Sequence, residues 1–188
     1  MNPLAHPRAM TLAKLLKLLM MVMTALLAGC ASVVPEDYRA EKPVLELERY
    51  FTGTVDAWGI FTDRSGRVVR RFTVVMHCTW RGDTGVLDED FTYADGTKEK
   101  RVWTIRKSGT GRYVGSAGDV VGEAIGVAAG NALNWRYVLD LKVDGKSIQV
   151  DFDDWMYQID DDVMLNRARM SKFGVTLGEI TLSFRKRR

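Results

Sequence analysis

Beyond residue 50 the chain alternates apolar and polar residues with period two, the pattern of strands with one buried face. In "RFTVVMHCTW", Phe72, Val74, Met76, Cys78 and Trp80 share one face. In "VLDEDFTY", Leu87, Glu89, Phe91 and Tyr93 do the same. Similar runs follow at short spacing: "TGTVDAWGIFT", "KRVWTIRK", "RYVGSA", "NWRYVLDLKV", "KSIQVDF", "DWMYQID", "VMLNRARMSKFG" and "GEITLSFRK". Turn sequences such as "DRSG", "RGDTG", "ADG" and "DG" separate many of them. This predicts roughly nine or ten antiparallel strands joined mostly by hairpins. No βαβ alternation is present, so a parallel sheet is not expected. The fold class is mainly β. A single antiparallel barrel is favoured over a sandwich, because closure removes free sheet edges.

One stretch departs from this pattern. "GDVVGEAIGVAAGNA" places Gly118, Gly122, Gly126 and Gly130 four apart. On a helix, positions four apart drift by only about 40°, so the glycines would line one groove. Each costs about 1 kcal/mol against alanine in a helix interior, and close approach to a packed surface must offset that. The expectation is one short helix pressed across a mouth or flank of the barrel, its groove receiving a ring such as Trp135 or Tyr137. The alternative is a glycine-rich loop that only looks periodic.

The start of the chain speaks to location. Lys14 and Lys17 precede an apolar run from Leu18 to Ala28, followed by small residues and Cys30. Basic region, apolar region and small-residue cleavage site are the parts of an export signal. "LAGC" resembles a bacterial lipobox, which implies diacylglyceryl transfer to Cys30, cleavage before it and acylation of the new amine. Two or more acyl chains give stable anchoring without a spanning helix. Ala31, rather than an aspartate, follows the cysteine, which by the usual sorting rule points to the inner leaflet of the outer membrane. Residues 1–29 then form the signal peptide, 30–46 a lipidated tether containing Pro35 and Pro43, and 47–188 the barrel domain. Extended, such a tether would reach about 50 Å.

Removing that leader changes the charge. It takes three of the 27 bases and none of the 24 acids, leaving 24 of each. A neutral domain gives no electrostatic reason to expect nucleic acid. The terminal "RKRR" reads as a solvated tail or a contact for anionic head groups. Without Cys30, Cys78 has no partner for a disulfide and reads as a buried thiol. His77 alternates away from the apolar face and is expected in solvent. One histidine does not make a His-rich metal site, and no Gly-x-Ser-x-Gly elbow is present. The acidic clusters Asp153-Asp154 and Asp160-Asp161-Asp162 read as structural. No catalytic constellation, cofactor or metal is expected.

The turn "Ala94-Asp95-Gly96" suits a three-residue hairpin with Gly96 in the left-handed position. That register sets Glu89 opposite Arg101 and Leu87 opposite Trp103, an inward ion pair beside a tryptophan. Glu89, Arg101 and Trp103, with Trp135 and Trp155, are the candidate ligand-binding residues.

The segments "AWGIFTDRSGRVVRRF", "DVVGEAIGVAAGNALNWRY", "FDDWMY" and "NRARMSKFGVTLGEITLSF" together resemble a family of small Gram-negative lipoproteins, domain of unknown function 3833. The resemblance runs from about Tyr50 to Phe184. It implies a lipocalin-like outline, though the Gly-x-Trp signature of lipocalins is absent: Gly53-Thr54-Val55 stands near its place. No reaction comes with it. The expected function is a membrane-anchored periplasmic binding module for a small apolar or amphipathic ligand. The alternative is an interaction lipoprotein of the envelope with a filled core. An interior volume on the order of 300 Å³ separates the two.

Overall fold

A computed structural model describes residues 32–143 and 145–188. The leader and Cys30 lie outside the described residues. Ten strands close into one antiparallel up-and-down barrel. They are β1 (Gly53–Asp63), β2 (Val68–Arg81), β3 (Thr84–Tyr93), β4 (Lys98–Gly109), β5 (Arg112–Ser116), β6 (Val120–Ala129), β7 (Ala132–Val143), β8 (Lys146–Gln158), β9 (Val163–Lys172) and β10 (Val175–Lys186). Each pairs with its neighbours in sequence, and β1 pairs with β10 to complete the ring. Closure leaves no strand of the ring with a wholly unpaired edge among the described residues.

The alternation predicts the faces well. Val74, Met76 and Cys78 of β2, Leu87 and Glu89 of β3, and Trp103 and Ile105 of β4 are buried, while His77 is exposed. The β3–β4 hairpin turns through Ala94-Asp95-Gly96 with Gly96 at φ +86°. It pairs Glu89 with Arg101 and Leu87 with Trp103, as the register requires.

The glycine stripe does not form a helix. It spans a loop, strand β6 and the turn into β7. Four is a multiple of two as well as nearly one helical turn, so the same spacing fits one face of a strand. Its glycines have separate causes. Gly118 is exposed in the β5–β6 loop. Gly122 has φ +72° where the β6–β7 register shifts between Val121 and Ile125. Gly126 is the partner of Trp135 and lies under its indole. Gly130 has φ +55° in the β6–β7 turn, where a Cβ would overlap the Tyr38 carbonyl. Val121 and Ile125 of the same stretch face solvent.

The barrel has a closed end and an open end. The one-turn helix α1 (Leu47–Tyr50) lies at the end where β1 starts and β10 finishes, with Leu45, Leu47, Tyr50 and Phe51 in the core. Polar contacts hold it there. The Tyr113 hydroxyl donates to Glu48 Oε2 at 2.8 Å, Lys107 pairs with Glu48, and Trp80 Nε1 donates to the Phe51 carbonyl at 2.9 Å. The Tyr50 hydroxyl donates to the Asp162 carbonyl at 2.9 Å.

Residues 34–46, expected as part of an extended tether, pack on the barrel instead. A 3-10 turn covers Pro35–Tyr38, the Leu45 amide donates to the Gly130 carbonyl at 2.8 Å, and Leu45 is buried. Polar composition concealed the few residues that matter: Pro35 and Leu45 are buried, Tyr38 and Pro43 half-buried, and the rest face water.

Candidate binding site

Inside the ring, aromatic and aliphatic side chains from most strands fill the space and leave an inner chamber of about 120 Å³. Leu47 and Phe51 floor it from the closed end. Met76, Leu87, Trp103, Leu133 and Trp135 form much of the wall. At the open end a vestibule of about 760 Å³ is lined by Phe61, Tyr93, Leu141 and Met170 with Arg70, Lys100 and Lys142. Phe72, Phe91, Arg101, Tyr137 and Ile180 line both spaces and so form the neck between them.

The neck is built from stacked rings. Phe72 and Phe91 sit 5.8 Å apart, Tyr137 meets Trp103 edge-on at 5.4 Å, and Tyr137 stacks flat on Phe152 at 4.9 Å. Trp103 in turn meets Trp135 edge-on at 5.8 Å. Trp135 fits because its cross-strand partner is Gly126 and its indole extends over Gly115 of β5, diagonal to Gly126. A Cβ on Gly115 would lie 2.7 Å from the indole.

Three carboxyls and one guanidinium stand in this apolar frame. Glu89 and Arg101 are cross-strand partners, but they do not form the expected ion pair. Arg101 instead turns to Asp119 of the β5–β6 loop, donating from Nε at 3.0 Å and Nη2 at 2.6 Å to a single oxygen. Glu89 is 8% exposed, and no hydrogen bond or ion pair to it is found among the described residues. Burial pushes its pKa up to about 7, against the pull of Arg101. Asp154 on β8 is also buried, and its pKa is likewise raised to about 7, although Asn166 Nδ2 donates to it. Burial also holds the Tyr137 hydroxyl well above its ordinary pKa.

Four of the candidate ligand residues therefore converge: Glu89, Arg101, Trp103 and Trp135 all line the inner chamber. Trp155 does not. It lies outside the barrel, stacked on Tyr157 at 6.0 Å with Tyr38 packed beside it at 6.1 Å. The inward face of β8 carries Phe152, Asp154, Met156 and Gln158, which leaves Trp155 on the other side. Asp154 belongs to the site, although the Asp153-Asp154 pair reads from sequence as merely structural. Its parity with Val150 and Phe152 was the available signal. Asn166, between buried Met164 and Ala168, carried the same signal. Asp119 had none, because a loop has no period.

A family description, "Protein of unknown function (DUF3833)", matches residues 24–186. Among solved structures, the barrel is similar to a DUF3598-family protein of unknown function from Nostoc punctiforme. The TM-score is 0.55 and the identity 14%, over 79% of this chain and 51% of that one. This chain thus spans about half the length of the Nostoc protein. It is also similar to the S-type phycobiliprotein lyase CPES from Guillardia theta, with a TM-score of 0.56 and 7% identity, over 77% of this chain and 94% of that one. At such identities the likeness is one of fold. No curated protein matches the sequence.

Proposed function

The chain belongs to the DUF3833 family, and we propose that it is a lipid-anchored envelope protein whose barrel binds a small amphipathic ligand. The observation that carries the binding is the adjacency of vestibule and chamber: they share an apolar, ring-lined boundary, and the chamber behind it holds buried polar groups. Ligand sites are concave and mostly apolar, with a few convergent polar groups that set orientation. The inner chamber, at about 120 Å³, takes only the end of such a molecule, and the vestibule holds the rest. The small chamber also favours a second reading, an interaction lipoprotein whose core is filled and whose partners are proteins.

The anchor is Cys30, acylated at the inner leaflet of the outer membrane and facing the periplasm. Its support is the sequence "LAGCA" after an apolar run. Native mass spectrometry of the protein taken from its own membrane tests both parts. The expected result is a chain beginning at an acylated Cys30 and carrying a bound small molecule that dissociates on activation. A chain that never carries such a mass, and takes up none when amphiphiles are added, overturns the binding reading. Equal acyl labelling of Cys30→Ser overturns the anchor.

A further inference from the structure

The inner chamber has acceptors to spare. Glu89 lines it without a hydrogen-bond partner among the described residues. Asn166 also lines it. Its amide nitrogen donates to the Asp154 carboxylate and to the Trp155 carbonyl, so its orientation is fixed by two acceptors. Asn166 Oδ1 is then left buried with no partner, as is Asp119 Oδ1 in the vestibule. Buried polar atoms without partners are rare, and each asks for a cause.

The guanidinium does not reverse this balance. Arg101 also lines the chamber but spends two of its N–H groups on Asp119, whereas Glu89 and Asp154 bring two carboxyls to it. A carboxylate ligand would meet two carboxyls there with a cation already neutralised. A hydrogen-bond donor would meet the oxygens that lack one.

Resting on the ligand-binding reading above, we infer that the chamber receives the donor end of the ligand, an amine or ammonium group bound to Glu89, and rejects carboxylates. The space fits this. About 120 Å³ corresponds to roughly four waters at ~30 Å³ each, room for an aminomethyl head and the next few carbons. The hydrocarbon then passes Phe72, Phe91 and Tyr137 into the vestibule. A charged amine loses its hydration in this setting, and the Glu89 carboxylate offsets that loss only when the two meet directly. Neutral pairs are tolerated as well, because an amine can hydrogen-bond to a protonated Glu89.

Three probes of equal length and different heads test the inference: octylamine, octanol and octanoate. Each is titrated into the full chain while tryptophan fluorescence is followed, since Trp103 and Trp135 line the chamber. Octylamine is expected to bind at least about tenfold more tightly than octanoate, a difference of about 1.4 kcal/mol. Glu89→Gln should remove most of that preference. Asp154→Asn, in which Asn166 loses a charged partner, serves as a second variant should Glu89→Gln fail to fold. Octanoate binding as tightly as octylamine would overturn the inference and leave the binding reading standing. An amine preference unchanged in both variants would overturn the assignment to these carboxyls. Failure of all three probes to bind would remove both the inference and the reading on which it rests.

Discussion

Trp135 covers Gly126, its partner across the β6–β7 ladder, so closely that a Cβ on Gly126 would overlap the indole. Gly122, four residues earlier, has open space about it and φ +72°. The two glycines therefore answer to different forces, one to packing and one to backbone conformation. Gly126→Leu should cost about 3 kcal/mol or more by forcing the indole out of its place. Gly122→Ala should cost about 1–2 kcal/mol, the strain of an L residue in the left-handed region. Urea unfolding of both variants checks the order.

Arg101 and Asp119 form the tightest charge contact at the neck, with side chains 27% and 34% exposed. Arg101→Met leaves Asp119 and Glu89 facing each other without a cation. A loss of about 2 kcal/mol is expected, between the surface and buried limits. The Arg101→Met/Asp119→Leu double variant should recover much of it. A double-mutant cycle measures the coupling.

Glu89 and Asp154 make stability depend on pH in an unusual direction. Their pKa values rise from 4.5 and 3.8 to about 7 on folding, so the folded state holds their protons more tightly. Their contribution is complete below the unfolded values and is lost as pH climbs to about 7. The groups acting on Glu89 are Arg101, Asp119, Asp154 and Asp88; those acting on Asp154 are Asn166 and Asp153. Other carboxyls work the opposite way at low pH, including Asp56 and Asp160, whose pKa values are lowered. The informative quantity is therefore the difference from wild type. Glu89→Gln and Asp154→Asn should each gain on wild type by a few kcal/mol between pH 4.5 and pH 8. Thermal melts across that range read the effect, and parallel curves would refute it.

Helix α1 depends on Glu48, which accepts from Tyr113 and pairs with Lys107. Glu48→Ala should speed amide exchange in residues 45–51 by about tenfold, while the central strands keep their protection. Hydrogen exchange read by mass spectrometry resolves the two regions.

The barrel was legible because its evidence repeats. Every strand carries its own period, and the Ala94-Asp95-Gly96 turn sets the β3–β4 register to the residue. Glu89 and Trp103 could be placed inside from that register alone. The partner of Arg101 could not, because Asp119 arrives from a loop that obeys no period. The glycine stripe misled for a related reason: a repeat of four fits helix and strand alike, and only the neighbouring strands distinguish them. Trp155 shows the limit of counting aromatics, since one residue of parity decides between lining a chamber and stacking beneath Tyr38.

The chamber's wall and floor are made differently, and they come apart differently. A wall strand leaves only by breaking two ladders at once. The floor is a single helical turn, attached through Glu48, Phe51 and Tyr50 and joined to β1 by Gly53, which has φ +86° and open space around it. The barrel thus has two ends of unequal construction: a mouth that stands open, and opposite it a plug held both by polar contacts and by the burial of Leu45, Leu47, Tyr50 and Phe51.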